Sequence, residues 1–325
     1  MTILSTLRYD FTRVREHLGL MPYTRPQEYD ATYSVTVTNT HPHEQNISVL
    51  LPLPLETDYQ QNKTDPTFNT SPSATGVDEK FGNRYAMWEV DLAPHELRTI
   101  GASFVVRVTP RKPLYDVPSK LDEYRTLADV EVTPFLAADA YVNGQAPAVR
   151  QRASDVLRGE KDVRVAAAKL YEHVRDSLTY GHPIAGLYSF QDALSNDAVD
   201  CGGFDVLLVS LYHAVGIPAR MVSGFWAGYP KNEMHAWAEF LTPHSEWVPV
   251  DPSMGNLRRR GLTSKSGRFG FVGSDRIAFS VGSDLPVLVH GQEMRVPILQ
   301  TPVVVAEHGE GTVTVDSSFI TTRHV

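Results

Sequence analysis

The chain has a single cysteine among 325 residues. An intramolecular disulfide is therefore excluded, as are zinc sites built from four cysteines or from two cysteines and two histidines. No apolar run reaches the length of about 18 residues that a membrane-spanning helix needs. No Gly-rich phosphate cradle occurs, so nucleotide use is not indicated. An excess of positive charge is also missing. The formal net charge is −8, which argues against nucleic acid or an anionic membrane as partner, because both favour a basic surface. The first residues meet Arg8 and Asp10 before any apolar stretch builds up, so they show no secretory signal pattern. Together with a thiol that must stay reduced, this makes the cytoplasm the expected location.

What is present suits two domains, each able to bury its own core. The first third reads as β. Tyr29–Thr38 alternates, with Tyr33, Val35 and Val37 on one face. Ile47–Leu55 is an apolar run whose prolines confine it to an edge or a strand end. Residues 56–80 are polar and read as a long loop. Tyr85–Leu92 and Thr99–Thr109 read as further strands, giving a β-sandwich expected over residues 1–115. A connector is expected over 116–145, and then the pattern changes. Ala148–Leu157 and Asp162–Leu178 have helical spacing, and Gly181 and Pro183 close the second.

Asp200 is a good N-cap type. After it Phe204, Leu207, Leu208, Leu211 and Val215 recur at three- and four-residue steps, with Gly216 and Pro218 as stop signals. The spacing predicts a helix from about Cys201 to Val215. Arg220–Phe225, His235–Leu241 and Trp247–Asp251 read as strands, and short strands are expected again near 277–281, 287–289, 303–305 and 312–315. An α+β domain is expected over 146–285, with a β-rich segment over 286–325. Arg258, Arg259, Arg260, Lys265 and Arg268 form the one basic cluster, expected to be a solvated loop.

Cys201 falls in the first turn of its helix, where the partial positive charge favours a thiolate, although the Asp200 carboxylate works against it. Gly202 and Gly203 leave room for a substrate, and a backbone N–H there could donate to an oxyanion. Alternation puts His235, Trp237 and Glu239 on one strand face. The turn after Leu241 then sets His235 opposite a position between about 251 and 253. His235 and Asp251 are thus placed to pair as a base and its orienting carboxylate. Alone, each of the three residues has a plain structural explanation: a small core thiol, a satisfied histidine, a turn-forming Asp before Pro252. Their combination is specific.

The blocks Asp200-Cys201-Gly202-Gly203-Phe204, Gly216-Ile217-Pro218-Ala219-Arg220, His235-Ala236-Trp237-Ala238-Glu239 and Trp247-Val248-Pro249-Val250-Asp251-Pro252 resemble, in order and spacing, the core of the transglutaminase-like superfamily. These are papain-like thiol folds, and the N-terminal part is similar to the β-sandwich that precedes the core in some bacterial members. The resemblance implies an α+β fold with Cys201, His235 and Asp251 as the catalytic triad. Trp237 is expected to pack beside the triad. Trp226 is a candidate wall of the substrate cleft, and Gln191 and Asn196 are candidates for the oxyanion hole beside Gly202. Val199 departs from the glycine often found at its position.

No metal or organic cofactor is implied, and His41-Pro42-His43 fits no zinc spacing. The expected chemistry is formation of an acyl-enzyme on Cys201 from a peptide, protein amide or thioester, followed by hydrolysis. Transfer to an amine is the second expectation. If the acyl donor were a thioester on an acidic carrier protein, the basic residues 258–268 would gain a role. A non-catalytic binding scaffold is the third.

Overall fold

The computed structural model describes residues 3–112, 118–127, 132–289, 291–309 and 311–324. It is a mixed α+β protein. Two antiparallel sheets make the sandwich. One runs β17 (Val313–Arg323), β1 (Gln27–Asn39), β7 (Leu97–Val108), β3 (Gln60–Asn62), with β4 (Thr67–Phe68) also on β7. The other runs β16 (Val303–Ala306), β2 (Gln45–Pro52), β6 (Arg84–Leu92), β5 (Ala74–Val77). Alternation along β1 buries Tyr29, Ala31, Tyr33, Val35 and Val37, which meet Ile47, Val49, Trp88 and Val90 of the second sheet in one core.

The C-terminal segment is part of this sandwich: β17 lies antiparallel along β1 from Tyr29↔Arg323 to Asn39↔Val313, and β16 pairs with β2. The sandwich is therefore assembled from both ends of the sequence. Short strands also interrupt the stretch 56–80 that the sequence presents as loop. The expected connector 116–145 lies partly outside the described residues, and its described part includes two 3-10 turns, Leu121–Thr126 and Thr133–Phe135.

The second layer is a four-stranded antiparallel sheet ordered β12 (Trp247–Val250), β11 (Met234–Leu241), β10 (Ala219–Trp226), β13 (Arg276–Val281). One face carries Ala238 and Phe240 against the Cys201–Ala214 helix, with the helices Pro147–Leu157 and Val163–Ser177 sharing that core. On the other side Phe225, Ile277 and Phe279 join the sandwich core. This sheet is thus held from both sides.

An N-terminal helix, Ile3–His17, was not marked by the sequence periodicity. Its Glu16 is buried and accepts from Arg258 Nη1 and Nη2 at 3.1 and 3.2 Å and from Arg268 Nε at 3.2 Å. This corrects the expectation of a solvated basic loop. Arg258 lies on a buried face of the helix Pro252–Arg259, and Lys265 lies against the rings of Trp226 and Tyr229 at 4.6 and 5.0 Å. Only Arg259 and Arg260 of the cluster are exposed.

Candidate active site

Cys201 opens its helix, and Asp200 caps it by accepting from Gly203 N at 3.1 Å, while its other oxygen accepts from Ile184 N at 3.3 Å. The backbone N–H of Ala236, next in the chain to His235, is close enough to the Cys201 thiol to pull its pKa down against the larger upward pull of burial. The helix start and β11 therefore meet at the thiol. A Cβ on Gly202 would stand 2.7 Å from Leu187 Cδ1, and one on Gly203 2.5 Å from Val199 Cβ. These glycines allow close packing of the helix start and do not open a space for substrate. Val199 fills the room that Gly203 leaves.

His235 and Asp251 are joined by a hydrogen bond, His235 Nε2 to Asp251 Oδ2 at 2.9 Å. The register that sets it is Ala238↔Val250 and Glu239↔Pro249, with Asp251 just past the end of β12. Asp251 is also the N-cap of the helix Pro252–Arg259. Its Oδ1 accepts from Met254 N at 2.9 Å and from Ser253 Oγ at 3.0 Å. The bond through Nε2 leaves His235 Nδ1 as the nitrogen for a thiol proton. The His235 ring stacks on Trp226 at 4.3 Å and lies 6.3 Å from Trp237. Both tryptophans are buried, so they fix the plane of the imidazole.

Two residues at the site have no counterpart in the sequence argument. Arg276, 2% exposed, donates from Nη1 to Asp251 Oδ2 at 2.8 Å and from Nη2 to Ser266 O at 2.7 Å. Its guanidinium sits 4.4 Å from Trp226 and 5.0 Å from Trp237. Asp205 lies one turn along the helix from Cys201, fully buried, and neither carboxyl oxygen has a hydrogen-bond partner. The available signals were a lone charge inside an apolar helix stripe and an arginine opening an otherwise apolar strand.

Burial pushes the Cys201 thiol far above its ordinary range, and Asp200 and Asp205 add to this. Both effects oppose the pull of the helix N-terminus toward a thiolate. Burial lowers the His235 pKa against the opposing pull of Asp251. Burial would raise Asp251, but His235 and Arg276 bring it down to about 2. Burial, with Asp251 and Asp200 nearby, holds Asp205 well above the usual carboxylate range.

The remaining candidates fall elsewhere. Asn196 is exposed and donates from Nδ2 to Asp192 O at 2.8 Å, closing its own short helix Phe190–Ser195. Gln191 is exposed on that helix. The Gly202 N–H lies near the Asp200 carboxylate and lowers its pKa. Neither Gln191 nor Asn196 is placed beside Cys201 as an oxyanion donor.

Residues 150–252 match the model of the transglutaminase-like superfamily, a span that includes Cys201, His235 and Asp251. Among solved structures, the chain is similar to a candidate cysteine protease from Cytophaga hutchinsonii. That match has a TM-score of 0.64 at 11% identity and covers 92% of this chain and 91% of that one. At this identity the likeness concerns the fold. The periplasmic domain of TgpA from Pseudomonas aeruginosa aligns at a TM-score of 0.37 and 14% identity, over 78% of this chain and 97% of that one, too loosely to support an argument. No curated protein matches.

Proposed function

We propose that this chain, a protein with a transglutaminase-like core, is a thiol-dependent acyl-transfer enzyme that forms an acyl-enzyme on Cys201 and releases it to water. The observation that supports this best is the 2.9 Å bond from His235 Nε2 to Asp251, made on a sheet that packs against the helix opened by Cys201. A thiol, a base and an orienting carboxylate are what nucleophilic catalysis at an amide or thioester carbonyl requires.

His235 Nδ1 takes the Cys201 proton as sulfur bonds to the carbonyl carbon, and returns it to the leaving amine or thiol. Asp251 supports the imidazolium that forms transiently. Water then attacks the thioester, with His235 again as base. We favour water over an amine because excluding it takes a specialised cleft. A reducing compartment such as the cytoplasm suits the free thiol. Recognition of an acidic carrier through residues 258–268 is disfavoured, since Arg258 is committed to Glu16.

The test is intact-mass detection of an acyl adduct after mixing the protein with a peptide thioester and with the matching glutamine-containing peptide, each with and without a primary amine. An adduct in the wild type, absent from Cys201→Ala and slow in His235→Ala, with free acid as the product, supports the reading. Amide as the main product would replace hydrolysis by transfer. A folded protein that never acylates would leave the scaffold reading.

A further inference from the structure

Two stretches of chain meet at the Asp251 carboxylate. On one side stands the helix Pro252–Arg259, which Asp251 itself caps through Oδ1. On the other lies the loop 266–268. Gly267 has a φ of +125°, and a Cβ there would collide with Asp251 Oδ2 and stand 2.9 Å from Met254 Cβ. The bare backbone therefore packs directly on the oxygen that accepts from His235. The carbonyl of Ser266, one residue earlier, accepts from Arg276 Nη2 at 2.7 Å, and Arg276 Nη1 reaches the same Asp251 oxygen at 2.8 Å. One side chain joins the two stretches. Glu16, 3% exposed in the last turn of the N-terminal helix, accepts from Arg258 of the capped helix at 3.1 and 3.2 Å and from Arg268 of the loop at 3.2 Å.

We propose that Glu16 is a remote positioning residue of the site: by bonding Arg258 and Arg268 at once, it clamps the helix Pro252–Arg259 and the loop 266–268 on either side of Asp251 and so fixes the oxygen that orients His235. The inference rests on the reading of Asp251 as the carboxylate that orients a base, and adds what holds that carboxylate in place. Oδ1 is fixed by local bonds to the helix, but the place of Oδ2 depends on what packs against it. Arg268 stands between Gly267 and Gly270, both at positive φ, so this part of the loop has little stiffness of its own. Its anchors are side-chain bonds. Ser266 N and Oγ donate to Asp275, Arg268 Nη1 donates to Phe269 O, and Arg268 Nε donates to Glu16. Of these, the bond to Glu16 is the one that reaches the helix capped by Asp251. A carboxylate suits the task, because charge-assisted bonds from two guanidinium groups set direction as well as distance.

The test reads the His235–Asp251 bond first and the chemistry second. The Nε2 proton of His235 is followed by NMR, assigned by its loss in His235→Gln. Its exchange with solvent is measured in wild type, Glu16→Gln, Arg268→Met, Arg268→Lys and Arg259→Met. Exchange should be slow in the wild type. Glu16→Gln and Arg268→Met should each speed it by about tenfold or more, because local opening has become easier. Arg268→Lys, which keeps a cation able to reach Glu16, should bring exchange back toward the wild-type rate. Arg259→Met removes an exposed ion pair with Asp176 from the same helix and should change nothing. The variants are then acylated with a peptide thioester. In Glu16→Gln and Arg268→Met the maximal rate should fall on the order of tenfold or more, with the half-saturating concentration unmoved. Wild-type exchange in a folded Arg268→Met overturns the proposal, and so does fast exchange in the wild type itself. The Arg268 side chain is 41% exposed, so Arg268→Met decides the matter if Glu16→Gln does not fold. The exchange readout needs no substrate. If it behaves as expected in a protein that never acylates, the enzymatic reading fails and the clamp stands. If the wild type acylates and exchange is unmoved by the variants, the clamp fails and the enzymatic reading stands.

Discussion

Asp251 serves His235 with one oxygen and a helix with the other. Oδ2 accepts from His235 Nε2, while Oδ1 caps Pro252–Arg259 through Met254 N and Ser253 Oγ. The carboxylate is therefore fixed by local chain geometry before the histidine arrives. In Asp251→Asn with the amide nitrogen at the Oδ2 position, the cap is retained while two donors face a donor. Acylation of Cys201 should fall on the order of 10³-fold or more. Stability should fall by about 3 kcal/mol, because Arg276 loses its buried counter-charge. Asp251→Ala should lose about 1 kcal/mol further for the missing cap. Acylation rates on the folded fraction, set beside thermal denaturation, separate the two effects.

Glu16 and Arg258 tie the N-terminal helix to the domain that carries Cys201, His235 and Asp251 through a buried two-pronged contact. Removing one partner leaves a buried charge, so Glu16→Ala should destabilise by about 3–5 kcal/mol. Glu16→Leu combined with Arg258→Met should recover most of that loss, since an apolar pair of similar volume avoids the desolvation penalty. Denaturant titrations of the single and double variants measure the difference.

The parts of this site that sequence made legible are those set by short-range rules. Asp200 as N-cap, the stripe from Phe204 to Leu211 and the glycine at 216 fix the cysteine helix. Period-two alternation and a short turn fix the meeting of His235 with Asp251. Long-range events left no periodic trace. Arg276 reaches Asp251 only because β13 pairs with β10, with a register shift at Ser223/Gly224 where a Cβ on Gly224 would collide with Ile277 O. The return of 303–323 into the sandwich is likewise a pairing of chain ends that no local pattern announces. The upward pull on the thiol comes from burial first, then from Asp200 and Asp205, and the burial shows only in the folded packing.

Asp205 is a buried acid whose two oxygens have no partner, and its folded pKa is raised well above the ordinary value. The folded protein thus retains a proton that the unfolded chain releases above about 3.9. Sign follows from proton counting: stability attributable to this group falls as pH rises above the unfolded value and on through the folded one. Asp205→Asn keeps the shape and removes the titration. It should therefore be more stable than wild type at pH 8 by a wider margin than at pH 5, as read from paired thermal melts. An equal margin at both values would show that Asp205 does not hold its proton.

His213, near the far end of the cysteine helix, gives the opposite dependence. It is buried, and its Nε2 lies 3.0 Å from Ala219 O, so the neutral ring donates there while Nδ1 has no partner. Burial lowers its pKa from 6.5 to about 4. Below the unfolded value the unfolded chain binds a proton that the folded protein refuses, so stability from this group is intact above about 6.5 and drains away as pH falls toward 4. A shift of this size corresponds to about 3 kcal/mol. His213→Gln preserves a donor for Ala219 O and does not titrate. Between these two pH values its stability should decline less than that of the wild type, and the gap between the two curves should close as pH rises to neutrality. Urea unfolding at closely spaced pH values gives both curves, and parallel curves would mean that His213 is protonated without penalty in the folded protein.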